Sequence, residues 1–355
     1  MTGHLDPKQL GRKDPSGMLR AVLSFAEQSR AGYEIGKETS PLPDALGITS
    51  IAVCGMGGSG VAGDVLHALY HERLRVPVAV VKEPLLPGFC NRDTLVVCSS
   101  YSGETSETLA CYEEAAQRGC RVVAVTSGGE LARRAKERGA AVVSLPDDAP
   151  APRAAFGYLV LGSLGALESM GVLASAAEDV VETVRVLAEL SGEIGPEDPE
   201  NPARRLAGEL ERKVPVVWGA EGLSSVAATR WKTELNENAK VPAFSSSLPE
   251  LDHNEIMGWS EKAGERFVLI ALRHDGEHPD VAARFPLSTE IAESAGLVVH
   301  EVWGRGHSAM AQLLSLVMMG GATSVYLAYL RGVDPTPIEA IDRLKRALSK
   351  GTAPG

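Results

Sequence analysis

Ser99-Ser100-Tyr101-Ser102-Gly103-Glu104-Thr105-Ser106-Glu107-Thr108 follows the apolar run Thr94-Leu95-Val96-Val97-Cys98, and the change of pattern at that junction decides the fold. It reads as a strand ending in hydroxyls at the N-terminus of a helix that starts near Thr105. The amides left unpaired by a first helical turn, the positive end of the helix dipole and several Ser/Thr donors suit a phosphate monoester, with no lysine required. A similar turn lies upstream, where Ser50-Ile51-Ala52-Val53-Cys54 runs into Gly55-Met56-Gly57-Gly58-Ser59-Gly60 and then a helical segment over 61–70. The two turns can share one phosphate.

Outward from these turns, apolar strands over 51–54, 76–81, 94–98, 121–125 and 140–144 alternate with helical patterns over 60–71, 105–118 and 129–138. Strands that are apolar throughout and separated by helices imply a parallel sheet covered on both faces. The pattern predicts a doubly wound α/β unit over 50–152, preceded by a helical extension in 1–49 with its helix at 16–34. The Pro-rich break Pro146-Asp-Asp-Ala-Pro-Ala-Pro152 leads to a helical connection over 153–202, ended by Gly195-Pro-Glu-Asp-Pro-Glu-Asn-Pro202. A second α/β unit over 203–332 follows, with strands at 213–219, 267–272 and 297–302 and helices at 223–239 and 307–331. A C-terminal helix (337–349) and tail occupy 333–355. Val214-Pro-Val-Val-Trp-Gly219 followed by a turn and a helix echoes Ile51-Ala-Val-Cys-Gly55, so two related lobes facing each other would place their strand ends around one cleft.

The 355 residues carry 35 Lys and Arg against 46 Asp and Glu, a net charge of −11. That balance argues against nonspecific attachment to nucleic acid or an anionic membrane, so an anionic substrate must be held locally. The N-terminal residues lack the apolar core of a secretion signal, and the longest apolar run, 309–330, is interrupted by Gln312, Ser315 and Gly320-Gly321; it reads as a buried helix. A cytoplasmic location is expected. Five cysteines without a CxxC pair, two of them inside apolar strands, read as reduced thiols packed as small hydrophobes.

Gly55-Met-Gly-Gly-Ser-Gly60 also matches the G-x-G-x-x-G of dinucleotide sites, but the second strand ends in Lys82-Glu83-Pro84, an ambiguous version of the ribose-binding acid. The hydroxyl-rich turn at 99–108 has no part in such a site. A sugar phosphate is the preferred ligand, no cofactor is expected, and the lack of Gly-Lys-Ser/Thr excludes a P-loop. The pairs His67/His71 and His274/His278 carry neither an HExxH signature nor an evident third ligand, so no metal is expected. The segment Trp231-Lys-Thr-Glu234-Leu-Asn-Glu237-Asn238-Ala-Lys240 places Glu234, Glu237 and Lys240 three residues apart on a helix. It leads through a polar, Ser-rich loop to His253. On a solvated face this means only i,i+3 ion pairing worth tenths of a kcal/mol. A carboxylate and a histidine at the rim of a phosphate site are also the equipment of proton transfer.

Gly57-Gly-Ser-Gly60 with Ser99–Thr108 resembles the sugar isomerase (SIS) domain. Glu234-Leu-Asn-Glu-Asn-Ala-Lys240, Leu251-Asp-His-Asn-Glu255 and Asp334-Pro-Thr-Pro-Ile-Glu-Ala-Ile-Asp-Arg-Leu-Lys345 make the chain closely similar to the bifunctional phosphoglucose/phosphomannose isomerases over about 16–349. The resemblance implies two SIS subdomains, a homodimer and hexose 6-phosphate substrates. It assigns Gly58, Ser59, Ser100, Ser102 and Thr105 to the 6-phosphate and Glu237 to the base that moves a proton between C1 and C2. Arg153 would stabilise the enediolate, His253 from the other subunit would assist ring opening, and Lys345 would stand at the sugar ring. Thr336 is associated with tolerance of both C2 epimers, whereas His307 reads as a structural residue at a helix start. The rival readings are a noncatalytic sugar-phosphate sensor, for which residues 1–49 offer no basic DNA-binding module, a glucose-specific isomerase and an aminosugar enzyme with the same phosphate grip.

Overall fold

The computed structural model describes residues 12–259 and 262–349. Two short N-terminal helices, α1 (Met18–Leu23) and α2 (Phe25–Glu38), replace the single one expected at 16–34; they part at Ser24, whose hydroxyl donates to the Ala21 carbonyl at 2.9 Å. The first lobe then runs β1 (Ser50–Cys54), α3 (Gly57–Tyr70), β2 (Val78–Val81), β3 (Thr94–Ser99), α4 (Ser106–Gln117), β4 (Arg121–Thr126), α5 (Gly129–Glu137) and β5 (Ala141–Ser144). After a 3₁₀ turn at Pro152–Ala155 come α6 (Phe156–Ser169), α7 (Ala177–Glu193) and α8 (Pro202–Leu210). The second lobe contains β6 (Val214–Ala220), α9 (Leu223–Asn238), β7 (Phe244–Leu248), β8 (Phe267–Arg273), α10 (Pro279–Ala282), α11 (Arg284–Ser294), β9 (Val298–Trp303), α12 (Ala309–Arg331) and α13 (Glu339–Ser349).

The strand orders are β2-β1-β3-β4-β5 and β7-β6-β8-β9, and every ladder in both sheets is parallel. Alternation along the strands separates three cores. Ile51, Val53, Leu95 and Val97 face inward with Val217, Ile270 and Leu272 of the other sheet, in one apolar cluster shared by both lobes. Ala52, Cys54, Val96 and Cys98 face outward onto α4 and α5, and Val216, Trp218, Leu269 and Ala271 face outward onto Phe285 and Ala292 of α11. The period-2 side-chain alternation of strands produces this division directly.

The central layer holds helices α6, α9 and α12. In α6 the first twelve residues, Phe156 to Leu167, are buried without exception, as is every residue of α12 from Met310 to Tyr329. α12 has the length and apolar character of a membrane span, yet it packs against α7, α8 and α9 inside the fold. The five cysteines are unpaired, four of them buried.

Two expectations fail here. The Ser-rich segment before His253 is not a loop: Phe244–Leu248 forms the parallel edge strand β7, because hydrogen bonding to β6 satisfies a backbone whose serines gave no apolar pattern. Lys240 is not on the helical face of Glu237, because α9 stops at Asn238 and Lys240 takes a left-handed φ of 58°.

Candidate active site

In the first sheet β1 lies between β2 and β3, so the strand order reverses there, and open parallel sheets receive ligands outside the carboxyl ends of such strands. β1 and β3 each lead into a helix whose first turn has no side-chain cap, α3 after Met56 and α4 after Thr105. Ser59 and Ser100 are buried, Thr105 is half-buried and Ser102 is exposed. The Ser100 and Thr105 hydroxyls stand 2.8 Å apart. Uncapped amides and these hydroxyls are donors of the kind that suit an anion.

The other lobe reaches this corner. A Cβ on Gly58 would lie 3.2 Å from Arg230 Nη1 and 3.6 Å from Arg153 Cα, so only a residue without a side chain leaves this approach free of crowding. Arg153, in the turn before α6, is buried. Its Nε donates to Asn238 Oδ1 at 2.7 Å, and its Nη2 to the carbonyls of Pro335 and Thr336 at 2.7 and 2.9 Å. Its Nη1 lies 3.4 Å from Glu237 Oε2.

Glu234 lies four residues after Arg230 on α9, and Glu237 and Asn238 three and four residues after Glu234, which places them on one stripe. Arg230 is fully buried, pairs with the Glu234 carboxylate, lies 4.5 Å over the Phe156 ring and donates to the Arg153 carbonyl at 2.6 Å. Asn238 Nδ2 donates to Glu234 Oε2 at 2.5 Å and to Ser324 Oγ at 2.9 Å. The arginine beside Glu237 is therefore fixed from behind by a buried polar network. Burial pushes the Glu237 pKa above the usual carboxylate range; Arg153 pulls it back and Glu234 adds to the rise. Such a carboxylate, beside a guanidinium and a quarter exposed, is equipped to exchange a proton with a bound molecule.

The structure thus joins Gly58, Arg153 and Glu237, with Ser59, Ser100, Ser102 and Thr105 on the turns of the same strand ends. Among the described residues no hydrogen bond or ion pair joins His253 or Lys345 to them. His253 is exposed in the 3₁₀ turn Glu250–His253, and Lys345 is exposed on α13; neither side chain has a hydrogen-bond or ion-pair partner among the described residues. Sequence reasoning singled out the segment from Asp334 but not the hold of its Pro335 and Thr336 carbonyls on Arg153, and it missed Arg230, although the i,i+4 spacing of Arg230 and Glu234 was visible. The Lys240 ammonium donates to the Glu237 carbonyl and, at 3.0 Å, to the Pro335 carbonyl, and burial pushes its pKa down. Thr336 Oγ1 is buried without a partner among the described residues, beside the carbonyl that Arg153 holds. Among the described residues no three His, Cys, Asp or Glu side chains converge as metal ligands.

Comparison with known proteins agrees with both lobes. Residues 48–144 match the SIS domain, and residues 199–348 match the bacterial phospho-glucose isomerase C-terminal SIS domain. The chain is 36% identical to the bifunctional phosphoglucose/phosphomannose isomerase of Caldicellulosiruptor bescii, over 94% of this chain and 99% of that protein. It is 37% identical to the protein of the same name from Aquifex aeolicus, over 89% and 94%. Among solved structures, a hypothetical protein from Thermus thermophilus superimposes with a TM-score of 0.74 at 18% identity, covering 98% of this chain and 94% of that one. Paired parallel sheets, both matched domains and identity at this level along nearly the whole length place the chain in the bifunctional phosphoglucose/phosphomannose isomerase family.

Proposed function

We propose that the chain interconverts glucose 6-phosphate and mannose 6-phosphate with fructose 6-phosphate through an enediolate. The observation that carries this reading is the 3.4 Å pairing of Arg153 with Glu237, with the Arg153 backbone and the Arg230 guanidinium against Gly58 of the first lobe's turn. The phosphate sits against the first turns of α3 and α4, with Ser59, Ser100, Ser102 and Thr105 as donors. Glu237 removes the C2 proton of the open-chain aldose, the electron pair forms the C1–C2 double bond, and charge moves onto O1. The Arg153 guanidinium stabilises that oxygen. The hydroxyl proton of O2 passes to O1, and Glu237 returns its proton to C1, leaving the ketose. Because C2 is planar in the intermediate, either epimer leads to the same species, and the reading gives Thr336 a part in that tolerance. No electron carrier enters this balance.

The working unit is a homodimer in which the partner subunit's His253 assists ring opening; the exposure of His253 within one chain supports this. Lys345 serves the sugar ring from the C-terminal helix. The test is incubation of the EDTA-treated protein with fructose 6-phosphate, with glucose 6-phosphate and mannose 6-phosphate read separately. Both products are expected, and Glu237→Gln lowers kcat about 10²- to 10⁴-fold with little change in KM. Absence of both products overturns the reading.

A further inference from the structure

The second sheet has its own reversal of strand order, with β6 between β7 and β8, and the reaction above does not use it. The carboxyl ends of β6 and β8 open onto a cleft of about 910 Å³. Helices α3 and α9 pack against each other and exchange roles between the two places. The head of α3, at Gly58, meets α9 at Arg230, two turns before Glu237 at its tail. The head of α9, at Gly222, Leu223 and Ser225, and the tail of α3, at His67 and His71, line the cleft. At 1.5 Å per residue the 14-residue α3 separates the two places by about 20 Å.

The cleft repeats the features of the phosphate corner. α9 starts after Gly222, at φ 91°, with no side-chain cap on its first turn. At the end of β8, His274 lines the cleft, is 7% exposed, and its ring has no hydrogen-bond partner among the described residues. Lys82, at the end of β2, adds a cation, held 2.5 Å from Asp64. Asp64, Glu72, Glu221 and Asp275 also line this space. Amides and an ammonium suit a phosphate, whereas carboxylates suit hydroxyl groups, and the stacked rings of His67 and His71, 5.2 Å apart, offer a flat polar wall. A metal ion fits poorly, because no three of these ligands converge.

We infer that this cleft is a second site for a phosphorylated sugar or polyol, its phosphate at the head of α9 beside His274 and its hydroxyls against the carboxylates. The parallel rests on reading the heads of α3 and α4 as the phosphate grip of the isomerase. The probe is sorbitol 6-phosphate, which lacks a carbonyl and cannot be isomerised, titrated calorimetrically into the full chain. Two molecules bind per chain. His274→Leu and His67→Ala each weaken one of them about tenfold or more, and the Ser100→Ala/Thr105→Val double variant weakens the other. His67 is exposed, so His67→Ala keeps the test valid should His274→Leu fail to fold. A single bound molecule lost with the Ser100/Thr105 changes overturns the second site and leaves the isomerase reading standing. Two molecules that bind equally to both histidine variants also overturn it. A single molecule that survives the Ser100/Thr105 changes and is lost with His274→Leu upholds the cleft and overturns the first-lobe grip.

Discussion

Arg153→Gln separates the structural and the chemical duties of the buried guanidinium. Of the oxygens that Arg153 serves, the Pro335 carbonyl keeps the Lys240 ammonium at 3.0 Å, but Asn238 Oδ1 and the Thr336 carbonyl lose their only donor among the described residues. Two orphaned acceptors cost about 2–4 kcal/mol of stability. The fold tolerates this if it has the usual margin of about 5–15 kcal/mol. Loss of the charge beside the developing oxyanion lowers kcat about 10²- to 10³-fold. KM for fructose 6-phosphate stays close to the native value, because the phosphate contacts belong to the other lobe. Arg153 is also the chief influence holding the Glu237 pKa down against burial, so the acid limb of kcat/KM against pH moves to higher pH. Arg153→Lys restores much of that limb but not the fork geometry. The assay combines kcat and KM across about pH 5–9 with urea denaturation of each variant. A stability loss with unchanged kcat would reduce Arg153 to a structural residue and refute the electrostatic role; an unmoved acid limb would refute its coupling to Glu237.

Glu237→Gln stabilises the fold while removing activity. Its folded pKa lies above the unfolded one, so the ionised carboxylate weakens the native state as pH rises through the folded value; melting temperatures should favour the variant at neutral pH and converge with the native protein in acid. Glu168 behaves in the opposite way. Burial opposes its ionisation, but Lys37, Tyr33 and the Ala176 amide outweigh burial and bring its pKa to about 2. The stability it contributes is therefore present above pH 4.5 and is lost between pH 4.5 and about 2, a slope that Glu168→Gln should remove from the acid unfolding curve. Gly60→Ala puts a Cβ 2.6 Å from the Gly55 carbonyl oxygen, which forces the phosphate turn to shift; KM rises about tenfold or more, read by initial-rate kinetics, and an unchanged KM would argue against phosphate at this turn. The shared core makes unfolding a single transition. All four tryptophans, Trp218, Trp231, Trp259 and Trp303, lie in the second half, so tryptophan fluorescence and far-ultraviolet circular dichroism should report coincident urea midpoints.

The first lobe was legible because its signals are local. Each strand is an uninterrupted apolar run, and the turns Gly55–Gly60 and Ser99–Thr105 announce themselves by composition. The Glu237 segment was legible by its helical spacing and its resemblance to a family. Three features were not. β7 carries serines on a sheet edge and is a strand only because β6 lies beside it. The fork of Arg153 depends on Asn238, Pro335 and Thr336, 85 to 183 residues away. No local pattern encodes such separations. The gathering of His67 and His71 with His274 and His278 around one cleft likewise comes from the antiparallel seating of α3 on α9, which neither histidine pair reveals alone.

α12 bears on how this protein is made. Its backbone receives Trp231 Nε1 at the Leu316 carbonyl, 2.7 Å, while Tyr326 and Tyr329 donate to Ile194 and Asp14, at 2.8 and 2.9 Å. One late segment therefore closes contacts begun as early as Asp14. During translation at about 5–20 residues per second, the nascent chain carries an open apolar seam until residues 309–331 have emerged. A chain that ends before Ala309 has both sheets together with α6 and α9, but it lacks the helix that completes the layer between them.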